Sequence, residues 1–415
     1  MEIVGLITEY NPFHNGHAYH IQKAKEITNA DYVIVIMSGN YVQRGTPAII
    51  DKYSRTSMAL TNGADIVIEL PVIYATASAE TFAAGAVRIL HDLGIVTSIC
   101  FGSECGDLTL LSSIARALCI ESEDFKDSIQ EYLRQGVSYP IARKQALLNT
   151  SALSGYTTQQ IEQVIESSNN ILGIEYLKAL YRLSSDIVPY TILREGSGYN
   201  DLTLDTTFSS ASALRKCLQT PTDYEALKRH MPATACDILK SAIDKTAPIF
   251  EDDFSDVLLY QLYTSSNERL SEYLDMNEDL ANRLLELTLK HHKFSDLAES
   301  LKSKQYTLTR MNRSLLHILL QITTSESKEV NPITTSMYAR LLGFRKEASS
   351  LLKLVRLHGE IPIITKVADA EKLLDNTQYK LFKKDLFVTH LYNQIVATKF
   401  NTTLPNEYKK GPIRV

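Results

Sequence analysis

The sequence predicts an α/β fold, with a Rossmann-like domain built on a parallel sheet over residues 1–220 and a mainly α-helical region over 221–415. Three observations carry this. Short β-branched runs alternate with longer stretches of helical period through the first half, as βαβ units require. Those runs are continuously apolar, so their strands are covered on both faces. From about Pro221 onward strand signals almost vanish while helix-like spacing persists.

Taken in order, residues 3–7 form the first strand and 17–28 the first helix. Residues 32–37 are a second strand, 51–62 a second helix and 65–70 a third strand. Residues 77–93 read as a helix that Gly94 stops, and 97–101 as a fourth strand ending in Gly102 and Ser103. The pattern from 108 to 180 is mostly helical, broken at Gly136-Val137-Ser138-Tyr139-Pro140. Residues 187–193 return to the sheet and run into a polar, glycine-bearing loop at 194–201.

Composition excludes several classes. Hydrophobic residues are 44% and charged residues 22% of 415, ordinary globular usage that allows two or three domains. The N-terminus enters a strand without a signal-peptide pattern, and no apolar run is long enough to span a membrane. Five cysteines at irregular spacing (Cys100, Cys105, Cys119, Cys217, Cys236) indicate neither a disulfide framework nor a zinc ribbon, so a reducing cytoplasm is expected. The net charge of −5 hides an asymmetry, because residues 291–415 hold 20 Lys+Arg against 11 Asp+Glu. A phosphate-bearing partner for that end fits, and so does a solvated helical face.

The most specific segment is Thr8-Glu9-Tyr10-Asn11-Pro12-Phe13-His14-Asn15-Gly16-His17, set between the first strand and the first helix. A helix starting there offers unpaired backbone N–H groups and a positive dipole end to a triphosphate. Gly16 allows close approach to the backbone, and ring N–H groups of His14 and His17 can meet charge developing on phosphate oxygens. His14, His17 and His20 also have a spacing compatible with a metal site, and as turn and capping residues the same histidines would need no chemistry. The expectation is phosphate handling without a protein-bound metal.

This segment, followed by Met37-Ser38-Gly39-Asn40-Tyr41-Val42-Gln43-Arg44-Gly45 and by Pro47 to Lys52, closely resembles the bacterial tRNA(Met) cytidine acetate ligase family of the HxGH nucleotidyltransferases. The resemblance continues through Phe101-Gly102-Ser103-Glu104, Gly136 to Pro140 with Arg143, and Ser168-Asn169-Asn170-Ile171-Leu172-Gly173-Ile174-Glu175-Tyr176, covering nearly the whole chain. It implies a nucleotidyltransferase-type catalytic domain. That domain condenses ATP with acetate to acetyl-adenylate, with magnesium, and passes the acetyl group to the wobble cytidine of elongator tRNA(Met). It implies no membrane and no obligate protein partner.

Carried over by residue, the ATP site comprises Ile7, the loop just quoted, Ala18, Tyr19, His20, Gly102, Asn169, Arg194 and Glu195. Ser209-Ser210-Ala211-Ser212-Ala213-Leu214-Arg215 is similar to the superfamily's second, Ser-rich motif, which places Ser210, Ser212 and Arg215 near the phosphates. Ala211 departs from that pattern, since a hydroxyl residue is common there. Acetate needs few donors and a methyl-sized space, for which Ser38, Gly39, Gln43, Arg44 and Lys52 are candidates. Lys302, Lys304, Tyr306, Arg310 and Arg313, with Arg340, Arg345 and Lys346, mix cations and an aromatic as single-stranded RNA recognition does. Two other functions use the same features: nucleotidyl transfer to a small phosphorylated metabolite, and RNA binding without catalysis.

Overall fold

The computed structural model describes residues 1–137, 139–194, 210–219 and 227–415. One sheet organises it. Its strands are β1 (Ile3–Thr8), β2 (Tyr32–Ser38), β3 (Ile66–Leu70), β4 (Ser98–Ser103), β5 (Val188–Leu193), β6 (Ala339–Phe344), β7 (Ile363–Ile364) and β8 (Ile413–Arg414). They lie in the order β8-β6-β3-β2-β1-β4-β5, with β7 also paired to β6. Strands β1 to β5 run parallel, from Ile3 opposite Tyr32 to Leu193 opposite Ser103. The chain builds β2 and β3 on one side of β1, then crosses to β4 on the other. The crevice outside the carboxyl ends of β1 and β4 is therefore the switch point where open α/β sheets bind ligands.

Burial runs from Val33 to Ser38 along β2 and through all of β3, matching their largely apolar sequences; the one charge, Glu69 of β3, is paired with Lys52. Helix α1 (Asn15–Thr28) begins two residues before the expected start because His14 takes the N-cap. Helix α2 (Lys52–Thr61) begins on Asp51, whose carboxylate accepts from the N–H groups of Tyr53 and Ser54. Helices α3 (Ala79–Asp92), α4 (Ser168–Arg182) and α5 (Ala211–Cys217) are among those of the first half, and α6 (Leu308–Leu319) and α7 (Asn376–Phe400) are among those of the second. No helix among the described residues is long and apolar enough to cross a membrane.

The second half is mainly helical, yet it returns to the sheet. Strand β6 joins β3 antiparallel, and β8 pairs with β6. Its sequence, Ala-Arg-Leu-Leu-Gly-Phe, is short and holds no β-branched residue, so periodicity does not separate it from buried helix. All six of its residues are buried.

That burial removes Arg340 from any RNA surface. Its guanidinium is 3.2 Å from Glu407, which also lies 3.2 Å from Lys52 Nζ. Lys52 further donates to both carboxylate oxygens of Glu69, at 2.9 and 2.8 Å, and to Thr389 at 3.1 Å. Burial raises the Glu407 pKa, but Lys52 and Arg340 outweigh that and hold it below its ordinary value. Replacing Glu407 with Ala strips a counter-charge from two buried cations. Stability should fall by about 3–5 kcal/mol, read from the denaturant midpoint, and a loss below about 1 kcal/mol would contradict this role.

Candidate active site

Thr8 ends β1, and the chain turns through Tyr10 to Phe13 before α1 begins. Tyr10 adopts φ 49°, and Phe13 is fully buried beneath the turn, its ring 4.8 Å from that of Tyr10. The Gly16 N–H donates to His14 Nδ1 at 3.1 Å, and the His14 N–H donates to His17 Nδ1 at 3.2 Å. Each Nδ1 is thus an acceptor, which places the single proton of each neutral imidazole on Nε2. The two rings stack at 3.7 Å.

The expected unpaired amides are not found at this helix mouth. Asn15 N–H donates to the His230 carbonyl and His17 N–H to the His14 carbonyl, both at 2.9 Å, while Gly16 is taken by His14 Nδ1. The donors left for a ligand are imidazole Nε2–H groups rather than backbone. Burial pushes the His14 pKa down to about 3, helped by Arg194 and Arg215. Burial and the charge of His14 push His17 well down, and burial with Arg194 takes His20 to about 4. All three rings are neutral at neutral pH.

These histidines line a cavity of about 230 Å³ at the carboxyl ends of β1, β4 and β5. Ile7, Thr8, Glu9, Tyr10, Asn11, Gly16 and Tyr19 share its wall, as do Gly102, Asn169, Arg194, Ser210, Ser212 and Arg215. Arg215 donates to the Asn11 carbonyl at 2.8 Å and to Ser212 Oγ at 3.0 Å, so the Ser-rich segment is tied to the histidine loop. Ser210 caps α5 through the Ala213 N–H. Asn169 donates to Glu104 at 2.6 Å, and Glu104 also accepts from the Asn170 N–H at 2.9 Å, closing the start of α4. A Cβ on Gly102 would stand 3.1 Å from the Arg194 stem, so this glycine makes room for Arg194 over the strand end. Four buried polar atoms of the wall, Thr8 Oγ1, the Tyr10 hydroxyl, Asn11 Nδ2 and His20 Nε2, have no hydrogen-bond partner among the described residues.

Comparison with known proteins agrees with this geometry. A family model described as HIGH Nucleotidyl Transferase matches residues 1–407. The tRNA(Met) cytidine acetate ligase of Thermoanaerobacter sp. strain X514 is 43% identical, over 94% of this chain and 95% of that protein. The ligase of Clostridium novyi is 39% identical over 100% and 99%. This chain belongs to the tRNA(Met) cytidine acetate ligase family. Two crystal structures of Thermotoga maritima TmcAL, each 31% identical with full coverage of both chains, superpose with TM-scores of 0.94 for the apo form and 0.92 for the form bound with alpha-thio ATP.

Not every residue suggested by the ligase resemblance reaches the cavity. Pro12, Phe13, Asn15 and Ala18 lie outside its wall; Asn15 instead donates to the Arg229 carbonyl at 2.9 Å. Glu195 falls outside the described residues. Of the acetate candidates, Gln43 and Arg44 line the cavity and Ser38, Gly39 and Lys52 do not. Lys52 is held in the buried ion cluster, and the Ser38 and Gly39 carbonyls accept from Arg55. Arg345 and Lys346 follow β6, whose Phe344 pairs with Ile66 at the start of β3. They sit at the amino edge of the parallel strands, roughly 20 Å of strand from the cavity edge.

Other residues around the cavity were not among those expected from the sequence. Phe82, Phe101, Leu172 and Tyr176 supply an apolar wall beside Asn169. The spacing of Asn169, Leu172 and Tyr176 puts all three on one face of α4, a signal the sequence does hold. Arg55, fully buried, donates to the carbonyls of Ile50 at 3.0 Å, Glu9 at 2.7 Å and Ser38 at 3.0 Å, joining the loops after β1 and β2. Ring ¹⁵N NMR against pH should show Nε2–H tautomers for His14 and His17, with His14 titrating near 3 and His20 near 4. A midpoint near 6.5 for either would contradict the burial argument.

Proposed function

We propose that this chain is an ATP-dependent acetate ligase that acetylates the wobble cytidine of elongator tRNA(Met). An acetate oxygen attacks the α-phosphorus of ATP, the bond to the bridging pyrophosphate oxygen breaks, and acetyl-adenylate and pyrophosphate result. The cytidine exocyclic amine then attacks the acetyl carbonyl, AMP leaves, and the amine proton passes to solvent. Acetate is itself the nucleophile, so the protein's task is positioning and electrostatics.

One observation carries this reading: two neutral imidazoles, each with Nδ1 occupied, line the cavity where β1 meets α1. Their Nε2–H groups donate to phosphate oxygens as charge moves toward pyrophosphate, without surrendering a proton. Arg194 and Arg215 add fixed positive charge on the same wall. The apolar faces of Phe82, Phe101 and Tyr176 suit adenine, and the Asn169 amide its polar edge. Gln43 and Arg44 remain the candidates for acetate. The wall carries one carboxylate among the described residues, Glu9, so magnesium would arrive on the triphosphate with water completing its shell. Residues 221–415 would supply the RNA surface, through Lys302, Lys304, Tyr306 and Arg310, in a cytoplasmic enzyme.

Purified protein with labelled ATP, acetate and tRNA should yield AMP, pyrophosphate and acetylated RNA. AMP formed only with a phosphorylated metabolite, or no turnover at all, would overturn the proposal. His17→Ala should lower acetate-dependent ATP–pyrophosphate exchange by about 100-fold or more while sparing RNA binding. Joint Ala substitution of Lys302, Lys304 and Arg310 should weaken RNA binding and flatten its salt dependence while sparing exchange. Equal loss of both activities in both variants contradicts that division of labour.

A further inference from the structure

The cavity wall and the helical half meet at one unusually close contact. Residues Tyr41–Val42 and Thr46–Pro47 form a short antiparallel hairpin, and its tip carries Gln43 and Arg44 into the cavity. The Gln43 N–H donates to Glu9 at 2.8 Å, fixing the tip to the histidine loop. The next residue, Gly45, has φ 76° and lies against the backbone of α6. A Cβ there would stand 2.3 Å from the Arg313 nitrogen and 2.5 Å from the Asn312 carbonyl carbon, atoms that cannot rotate aside. Only glycine fits, on both conformational and steric grounds.

Helix α6 is itself anchored from behind. Arg313 donates to Asp275 at 3.1 Å, and the buried His317 ring spans the Leu274 and Thr76 carbonyls at 3.0 Å each. Arg313 is thereby committed to holding the helix, which leaves Arg310 as the cation of this turn available to RNA. Arg310 stacks on Tyr306 at 4.7 Å, and its buried Nε has no hydrogen-bond partner among the described residues. Three residues of helix, about 4.5 Å of rise, separate Arg310 from the Gly45 contact. A cation stacked on an aromatic therefore stands within one turn of the loop that brings Arg44 into the cavity.

We propose that RNA reaches the cavity across the seam where the hairpin tip meets the first turns of α6, the mouth of the site, and that Gly45 is a positioning residue that holds the two sides of this mouth together. The proposal rests on the acetyl-transfer reading above and names the surface that serves it. A single-stranded loop suits this surface: an unpaired base stacks on the Tyr306–Arg310 pair while its neighbour lies over the closed contact toward Arg44. The seam sits at the cavity edge of the sheet, and Lys346 at the opposite edge provides a built-in control.

Two measurements on the full chain test this. With the photoreactive residue benzoylphenylalanine in place of Asn312, irradiation should crosslink tRNA in its anticodon loop, whereas the same replacement at Lys346 should not. Crosslinking from Lys346 alone, or from Asn312 only to the acceptor stem, would overturn the mouth. In Gly45→Ala, kcat for acetyl transfer should fall about tenfold or more, a clearly larger loss than that in acetate-dependent ATP–pyrophosphate exchange. Exchange and transfer falling together would reduce Gly45 to a folding role and sink the positioning claim. Anticodon-loop crosslinking by a chain with no acetate-dependent exchange would support the mouth while removing the acetate reading.

Discussion

The chemistry proposed for this molecule depends on two hydrogen bonds at the start of α1: Gly16 N–H to His14 Nδ1 and His14 N–H to His17 Nδ1. They cap a helix, which any Ser or Asp could do. What a hydroxyl or carboxylate cannot do is leave a second, correctly protonated donor on the far side of the same ring. Capping and phosphate handling are usually alternative explanations for a histidine at a helix mouth. Here the cap is what makes the donor, because occupying Nδ1 forces the proton onto Nε2.

The surrounding structure keeps that arrangement from relaxing. Arg55 bridges the carbonyls after β1 and β2 from below, and Arg215 reaches the Asn11 carbonyl from α5. The sheet's change of strand order between β1 and β4 opens the crevice that these loops surround. Donors held by packing and second hydrogen bonds need no reorganisation as charge develops, which is where electrostatic catalysis gains most. Burial keeps the rings neutral, so their fixed dipoles act beside permanent guanidinium charge without adding mutual repulsion to the ligand-free protein.

Much of this was legible in the residues. The parallel sheet followed from runs such as 32–37, whose unbroken hydrophobicity allows no solvent face. The junction at 8–17 announced itself by position and histidine spacing. Local pattern failed where the third dimension decides. Lys52 and Arg340 look like surface cations in sequence, yet Glu407, distant along the chain, draws both into the interior. Strand β6 lacks β-branched residues and is a strand because β3 offers it an edge. Arg55 reads as one polar residue of a helix, and only the convergence of carbonyls around it reveals its role. The amides at the α1 mouth were expected to be free; the chain itself satisfies them, through a carbonyl at His230 that no local pattern connects to this loop.

The central claim is tested most directly by a crystal structure of this chain with a non-hydrolysable ATP analogue. The account predicts phosphate oxygens within about 3.2 Å of Nε2 on both His14 and His17, with the Gly16 and His14 amides still bonded to Nδ1. A triphosphate bound away from α1, or rings turned so that Nδ1 faces the phosphates, would contradict it.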